Sequence, residues 1–172
     1  MHALILDRTP ARDFLLVLLS SFLICLSGQI AFPLWFTPVP IATQNSVVLL
    51  MGALLGPRRG AAAVFVFLLQ GALGLPVFSN GGFGFAHFFT PTGGYLIGYL
   101  VAAFVVGLIV ERRRTTGSLL GALLLGNLII YLFGASYLAT FVGMNKAFSL
   151  GVAPFLIGDF LKTLVSVKIL GR

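Results

Sequence analysis

Residues 151–170 read GVAPFLIGDFLKTLVSVKIL, an apolar run of twenty residues with Asp159 and Lys162 set inside it. About 20 apolar residues at about 1.5 Å each cover the ~30 Å of a bilayer's hydrocarbon core, so the run is expected to be a membrane-crossing helix. Asp159 and Lys162 are three residues apart and share one face of that helix. Charges at such depth are rare and face a bundle interior or a water-filled cavity, which makes the pair the first candidate for a functional site, with a structural ion pair between helices as the alternative.

The rest of the chain repeats the pattern. Of 172 residues, 59% are hydrophobic and 9% charged, against about 25% charged in a soluble domain, so an integral membrane protein is expected. The apolar runs are long and do not alternate, so they are helices rather than barrel strands. Six transmembrane helices are expected, at about 14–32, 43–56, 60–75, 93–110, 118–141 and 151–170, forming one domain from residue 14 to 172 behind a surface lead-in of residues 1–13. The first run continues past any h-region and lacks a cleavage motif, so no cleavable signal is expected.

The second and third helices are short. At about 14 to 16 residues they reach only ~21–24 Å, and something else must fill the remaining depth. Residues 33–45 (PLWFTPVPIATQN) hold three prolines and are expected as an ordered loop, with Trp35 an interface anchor. Residues 76–91 (PVFSNGGFGFAHFFTP) are too rich in glycine and proline for a helix, yet too apolar for a solvated loop. Both loops are expected to fold into the mouth of the bundle, where irregular backbone is buried in protein or lines a cavity. Residues 143–150 are expected to form a loop as well.

Charge sets the orientation. With six spans, one side carries Arg8, Arg12, Arg58, Arg59, Arg112, Arg113, Arg114, Lys168 and Arg172, and the other only Lys146. Both termini are therefore expected in the cytoplasm, in a multi-pass protein of the plasma membrane in contact with lipid. The net charge of +7 is this topology signal; there is no basic stripe interleaved with aromatics, and no nucleic-acid partner is expected. Helix 6 then runs inward, with Asp159 ~12 Å and Lys162 ~16 Å deep, beneath the outer loops. No G-x-x-x-x-G-K-[ST] sequence, catalytic triad or metal cluster is present, so neither an enzyme nor a metal or cofactor site is expected. Single Cys25 is a small core side chain, and His87 is expected to make a structural hydrogen bond.

Several stretches, in order, resemble the BioY family, the biotin-binding S components of energy-coupling-factor (ECF) vitamin transporters. They are Pro38-Val39-Pro40 followed by Gln44, GALLGPRRGA at 52–61, GALGLPVF at 71–78, PTGGYLIGY at 91–99, LGNLIIYLFG at 125–134 and GDFLK at 158–162. The resemblance implies an all-α, six-helix S-component fold without ATPase activity. It also implies biotin as the transported ligand, a partner made of a transmembrane coupling subunit and two ATP-binding subunits, and binding roles for Asp159 and Lys162. Docking on the coupling subunit uses, in the family, a pair of small residues four apart on helix 1; the nearest here are Ser21/Cys25 and Ser20/Ile24.

Biotin presents a ureido ring with two donors and one acceptor, an apolar thioether and tail, and a carboxylate. Ionised Asp159 accepts and suits a ureido N–H; Lys162 donates and suits the carboxylate. Its two ends lie well apart whereas these side chains are neighbours, so either Lys162 reaches away or the pair is partly self-neutralising. Asn80 either serves the ureido group or turns the chain before Gly81-Gly82. Gln44 and Tyr95 bind either ligand or protein, Phe78 walls the ring or packs in the core, and Asn127 and Tyr131 join helices. The competing functions are an S component for thiamine or riboflavin, an intramembrane enzyme using Asp159, which lacks a second acid in the membrane, and a channel, which lacks a polar path through helices 1 to 4.

Overall fold

The computed structural model describes residues 9–113 and 115–171; most of the lead-in, with Arg8, as well as Arg114 and Arg172, lies outside the described residues. Helix α1 spans Pro10–Gly28 and starts on Pro10, whose fixed φ suits a first helical turn. It stops four residues before the expected end because the chain there changes period. Residues Ala31–Leu34 (β1) and Thr37–Ala42 (β2) pair antiparallel, with Ala31 opposite Ala42 and Leu34 opposite Thr37. The expected loop at 33–45 is thus a hairpin. Its prolines are tolerated because a two-stranded sheet is all edge. Trp35 stands at its tip, 96% exposed.

Helix α2 spans Gln44–Ala72 but is broken at Gly56, whose φ of 81° and ψ of 178° lie far from helical values, directly before Pro57. A Cβ built on Gly60 would come within 2.7 Å of the Cα of Gly52. In a straight helix eight residues separate two Cα atoms by ~12 Å, so the two arms fold back on each other. Gly107 packs against the turn itself, where a Cβ would meet the Gly56 carbonyl carbon at 2.5 Å.

Helix α3 spans Gly93–Arg112, α4 Thr116–Val142, α5 Met144–Gly151 and α6 Ala153–Leu170. Residues 144–150, expected within a loop, and Gly151, expected to begin the last helix, form α5; Gly143 (φ 82°) breaks it from α4, and Pro154 opens α6. Helix α3 buries Gly94, Tyr95, Gly98, Tyr99, Ala102, Ala103, Val106 and Gly107, a stripe at helical spacing whose small members let α2 and α4 approach. A Cβ on Gly98 would stand 3.1 Å from the Cα of Ile130. Ser21, Ile24 and Cys25 of α1 are buried, and Cys25 Sγ donates to Gln70 Oε1 at 3.2 Å. Cys25, in the nearest match to the family's docking pair, is therefore turned toward α2.

Among the described residues, five helical stretches are long and apolar enough to cross a membrane: Pro10–Gly28, Gln44–Ala72, Gly93–Arg112, Thr116–Val142 and Met144–Leu170, the last taking in α5 and α6. Their outer faces carry large apolar side chains, such as Phe14, Leu19 and Phe22 on α1 and Ile157, Leu161 and Val165 on α6, where lipid takes the place of water. At one end of the bundle Arg59 pairs with Asp13 at 2.7 Å, tying the start of α1 to the turn of α2. The hairpin and the loop before α3 close the other end.

Candidate functional site

The site is built at the end covered by the hairpin. Between α2 and α3 the chain makes two short 3-10 turns, Ser79–Gly81 and Phe85–Phe89, and no longer element. Phe78 anchors this segment. Its ring is seated in a notch over Gly71, where a Cβ would fall 2.1 Å from it, and it meets Phe67 and Phe88 edge-on at 5.5 and 5.7 Å. The imidazole of His87 stacks on the same ring, 5.0 Å away and tilted by 23°.

A cavity opens beneath. The hairpin contributes Val39, Pro40 and Ala42, α2 contributes Asn45, and the loop contributes Phe78, Ser79 and His87. Thr92 lines it from the cap of α3, followed by Tyr95, Leu96 and Tyr99, with Tyr131 from α4 and Phe155 from α6. Its empty space is ≈ 460 Å³ when the open mouth is counted with it. The walls are aromatic and apolar, and the polar groups sit at two places.

The first place is the floor. Asp159 is 3% exposed and lies just behind the lining. Tyr131 Oη donates to its Oδ2 at 2.7 Å, Asn45 Nδ2 donates to the same oxygen at 3.3 Å, and Lys162 Nζ donates to Oδ1 at 2.9 Å. Tyr99 Oη donates to Asn45 Oδ1 at 2.5 Å, which orients the amide with its NH2 toward the carboxylate. Lys162 Nζ also donates to Ala42 O at 3.0 Å, fastening α6 to the end of β2. A buried carboxylate needs such partners, and here they draw on α2, α4 and α6. The second place is near the mouth, where His87 Nε2 lies 3.3 Å from Thr92 Oγ1. Burial pushes the His87 pKa below its ordinary 6.5.

The expected site residues part company. Phe78 and Tyr95 line the cavity, but Tyr95 Oη donates to Gly151 O at 2.7 Å, and its ring fills a notch over Gly134, so its hydroxyl serves the protein. Asp159 and Lys162 are brought together, with Lys162 turned to Asp159 and Ala42 instead of reaching along the cavity. Gln44 is fully buried and donates to Ile24 O and Val77 O, both at 3.2 Å, while Ser79 Oγ donates to its Oε1 at 3.4 Å. It is a bracket between α1 and the loop and does not line the cavity. Asn80 is exposed, does not line the cavity, and is the one non-glycine residue with positive φ (59°) among the described residues. Of its two expected roles, the structure shows the turn. His87 makes the expected hydrogen bond and also lines the cavity.

Asn45 and Tyr99 were not legible as site residues, and Tyr131 was legible only as a residue joining helices. Tyr99 had a signal: it follows Tyr95 by four residues and shares its face. Asn45 had none, since its neighbour Gln44 looked equivalent. With these residues, polar groups do reach the bundle interior from helices expected to lack them.

The sequence profile of the BioY family matches residues 2–172. A protein of Pyrococcus horikoshii described as a probable biotin transporter BioY is 41% identical over 94% of this chain and 96% of its own length. The biotin transporter BioY of Rhizobium etli is 40% identical over 94% of this chain and 91% of its own. Among solved structures, the S component for biotin from an ECF-type ABC transporter superposes with a TM-score of 0.86 at 29% identity, covering 96% of this chain and 94% of that one.

Proposed function

The chain belongs to the BioY family, and we propose that it is the membrane subunit that captures biotin from outside and mediates its uptake, as part of an ECF transporter. The observation that carries this reading is the aromatic cavity with Asp159 fixed behind its floor by groups from three helices. The floor suits the ureido ring: a carboxylate oxygen and the Tyr131 and Asn45 groups supply acceptors and donors within a desolvated pocket, where they discriminate most. Phe78, Tyr95 and Phe155 give the thioether ring apolar walls. Lys162 pairs with Asp159 at 2.9 Å and gives the buried carboxylate a counter-charge.

The break at Gly56 divides α2 into arms of residues 44–55 and 57–72, which supports a reading of six crossing segments. At ~18 and ~24 Å both arms are shorter than a ~30 Å core, and the hairpin and the 76–91 loop occupy the depth they leave. Arg58, Arg59, Arg112, Arg113 and Lys168 mark the opposite end as cytoplasmic, with both termini, in the plasma membrane. Energy for uphill uptake comes from a coupling subunit and two ATP-binding subunits, since the chain carries no P-loop sequence.

Equilibrium binding to the purified protein tests the reading. Biotin is expected to bind tightly, unlabelled thiamine and riboflavin not to compete, and Asp159→Asn to weaken biotin about 10- to 100-fold through loss of a charged hydrogen-bond acceptor. Binding of thiamine or riboflavin in place of biotin would move the chain to another vitamin.

A further inference from the structure

We propose that His87 receives the carboxylate of the ligand at the mouth of the cavity, and that one proton is taken up from solvent as it does so. This rests on the reading of the chain as a biotin-binding subunit. The floor cannot serve as the carboxylate site. Asp159 and Lys162 are 2.9 Å apart and neutralise one another, and Lys162 spends a second N–H on Ala42 O. What faces the cavity there, Tyr131 and Asn45, is neutral and suits an uncharged polar ring. An elongated ligand seated on that floor places its other end outward. Seven residues of α3 separate Tyr99 at the floor from Thr92 at the rim, ~10 Å along the axis. At that rim, among the described residues lining the cavity, His87 is the one group that can become cationic.

The proton count comes from the hydroxyls around it. Thr90 Oγ1 donates its single hydrogen to His87 O at 2.7 Å. The 3.0 Å contact between Thr90 and Thr92 must then use the hydrogen of Thr92. That leaves Thr92 Oγ1 only as an acceptor toward His87, so Nε2 carries the imidazole proton and donates across 3.3 Å. Nδ1 has no hydrogen-bond partner among the described residues, and no buried side-chain nitrogen among them is unpartnered, so Nδ1 is not sealed off; it lies beside Gly82, where a Cβ would fall 3.0 Å from it. Burial of the ring disfavours its charged form, and with the proton on Nε2 the Nδ1 atom presents a bare lone pair. A carboxylate beside a lone pair is repelled; with a proton on Nδ1 the same contact is a charge-assisted hydrogen bond. Stacking on Phe78 and the close passage of Gly82, where a Cβ would fall 2.5 Å from His87 Cε1, hold the ring in place.

Among the described residues, no other titratable group competes at the mouth. Toward the cavity, α3 brings Tyr95 and Tyr99, α4 brings Tyr131 and α6 brings Asp159 with its partner Lys162; the hairpin, α2 and the rest of the loop bring none, and Lys146 on α5 is exposed.

Equilibrium binding of biotin and of its methyl ester to the full-length protein, between about pH 6 and 8.5, decides the matter. In the wild type the preference for biotin over the ester is expected to rise as pH falls, by up to about tenfold per pH unit for one linked proton. In His87→Gln and His87→Phe the preference is expected to become independent of pH, while the ester binds within about threefold of wild type and reports an intact cavity. A pH-independent preference in the wild type overturns the inference and leaves biotin binding standing. So does a slope that survives both His87 variants, or one abolished by Lys162→Met. If the wild type binds neither compound, the inference falls together with the reading beneath it.

Discussion

Helices α4 and α6 are joined by two polar rungs one helical turn apart, and only one of them meets the cavity. In the outer rung Tyr131 donates to Asp159; in the inner rung Asn127 Nδ2 donates to Thr163 Oγ1 at 3.1 Å. The residues are four apart on each helix, so both rungs lie on the same faces. The inner rung closes on itself: Asn127 also donates to Leu123 O, and Thr163 Oγ1 donates to Asp159 O. Both N–H groups of Asn127 and the hydroxyl hydrogen of Thr163 are spent on protein. The outer rung carries a charge and borders empty space, with Tyr131 in the cavity wall. A polar side chain inside a membrane bundle is therefore an element of packing where its partners are all protein, and an element of recognition where one side of it is left open.

Substitutions at the two rungs test that distinction. The largest effect is expected from Asp159→Ala, which strands Lys162 at membrane depth without its counter-charge. A loss of about 3–5 kcal/mol of stability, seen as a steep fall in thermal unfolding temperature in detergent, should accompany loss of biotin binding. Adding Lys162→Met to that variant removes the orphaned charge and should restore most of the stability but none of the affinity. A double variant that still binds biotin would deny the outer rung its role in recognition.

Tyr131→Phe comes next. It keeps the ring and removes one donor to an ionised acceptor, so biotin affinity should drop about tenfold with the fold intact. The smallest effect on binding belongs to Asn127→Ala. Its interhelical hydrogen bond contributes about 1 kcal/mol, which should register as a modest fall in unfolding temperature with biotin affinity within about threefold of wild type. If calorimetric titration gave Asn127→Ala the binding loss of Tyr131→Phe, the two rungs would be one unit and the comparison would fail.

Much of the fold was legible because lipid imposes its pattern on composition. The apolar runs predicted helices at 93–110 and 118–141, and the structure has them at Gly93–Arg112 and Thr116–Val142. The departures share a cause. Short segments such as 31–42 and 144–151 carry too few residues to display a period of 2 or 3.6, so β1, β2 and α5 were hidden in what looked like loops. The site was legible in part. Asp159 and Lys162 stood out because charge is costly in a helix among lipids. Tyr131 and Asn127 looked alike, as did Gln44 and Asn45, since neutral polar residues are tolerated in either role.

The sequence by itself determined that this chain lives in a membrane, where its helices begin to be apolar, which end carries the cations, and that one acid and one base share a face of α6. These follow from local composition and spacing, which the bilayer reads residue by residue. Only the tertiary structure decided which polar groups are satisfied by protein and which are left facing the cavity. It turned Gln44 inward as a bracket, set Asn80 in a turn, spent Lys162 on Asp159 and Ala42, and left His87 Nδ1 without a hydrogen-bond partner among the described residues. The physical reason is that hydrogen-bond satisfaction is a property of pairs brought together from distant positions, here 45 with 159, 99 with 45 and 131 with 159, and no window along the chain contains both members.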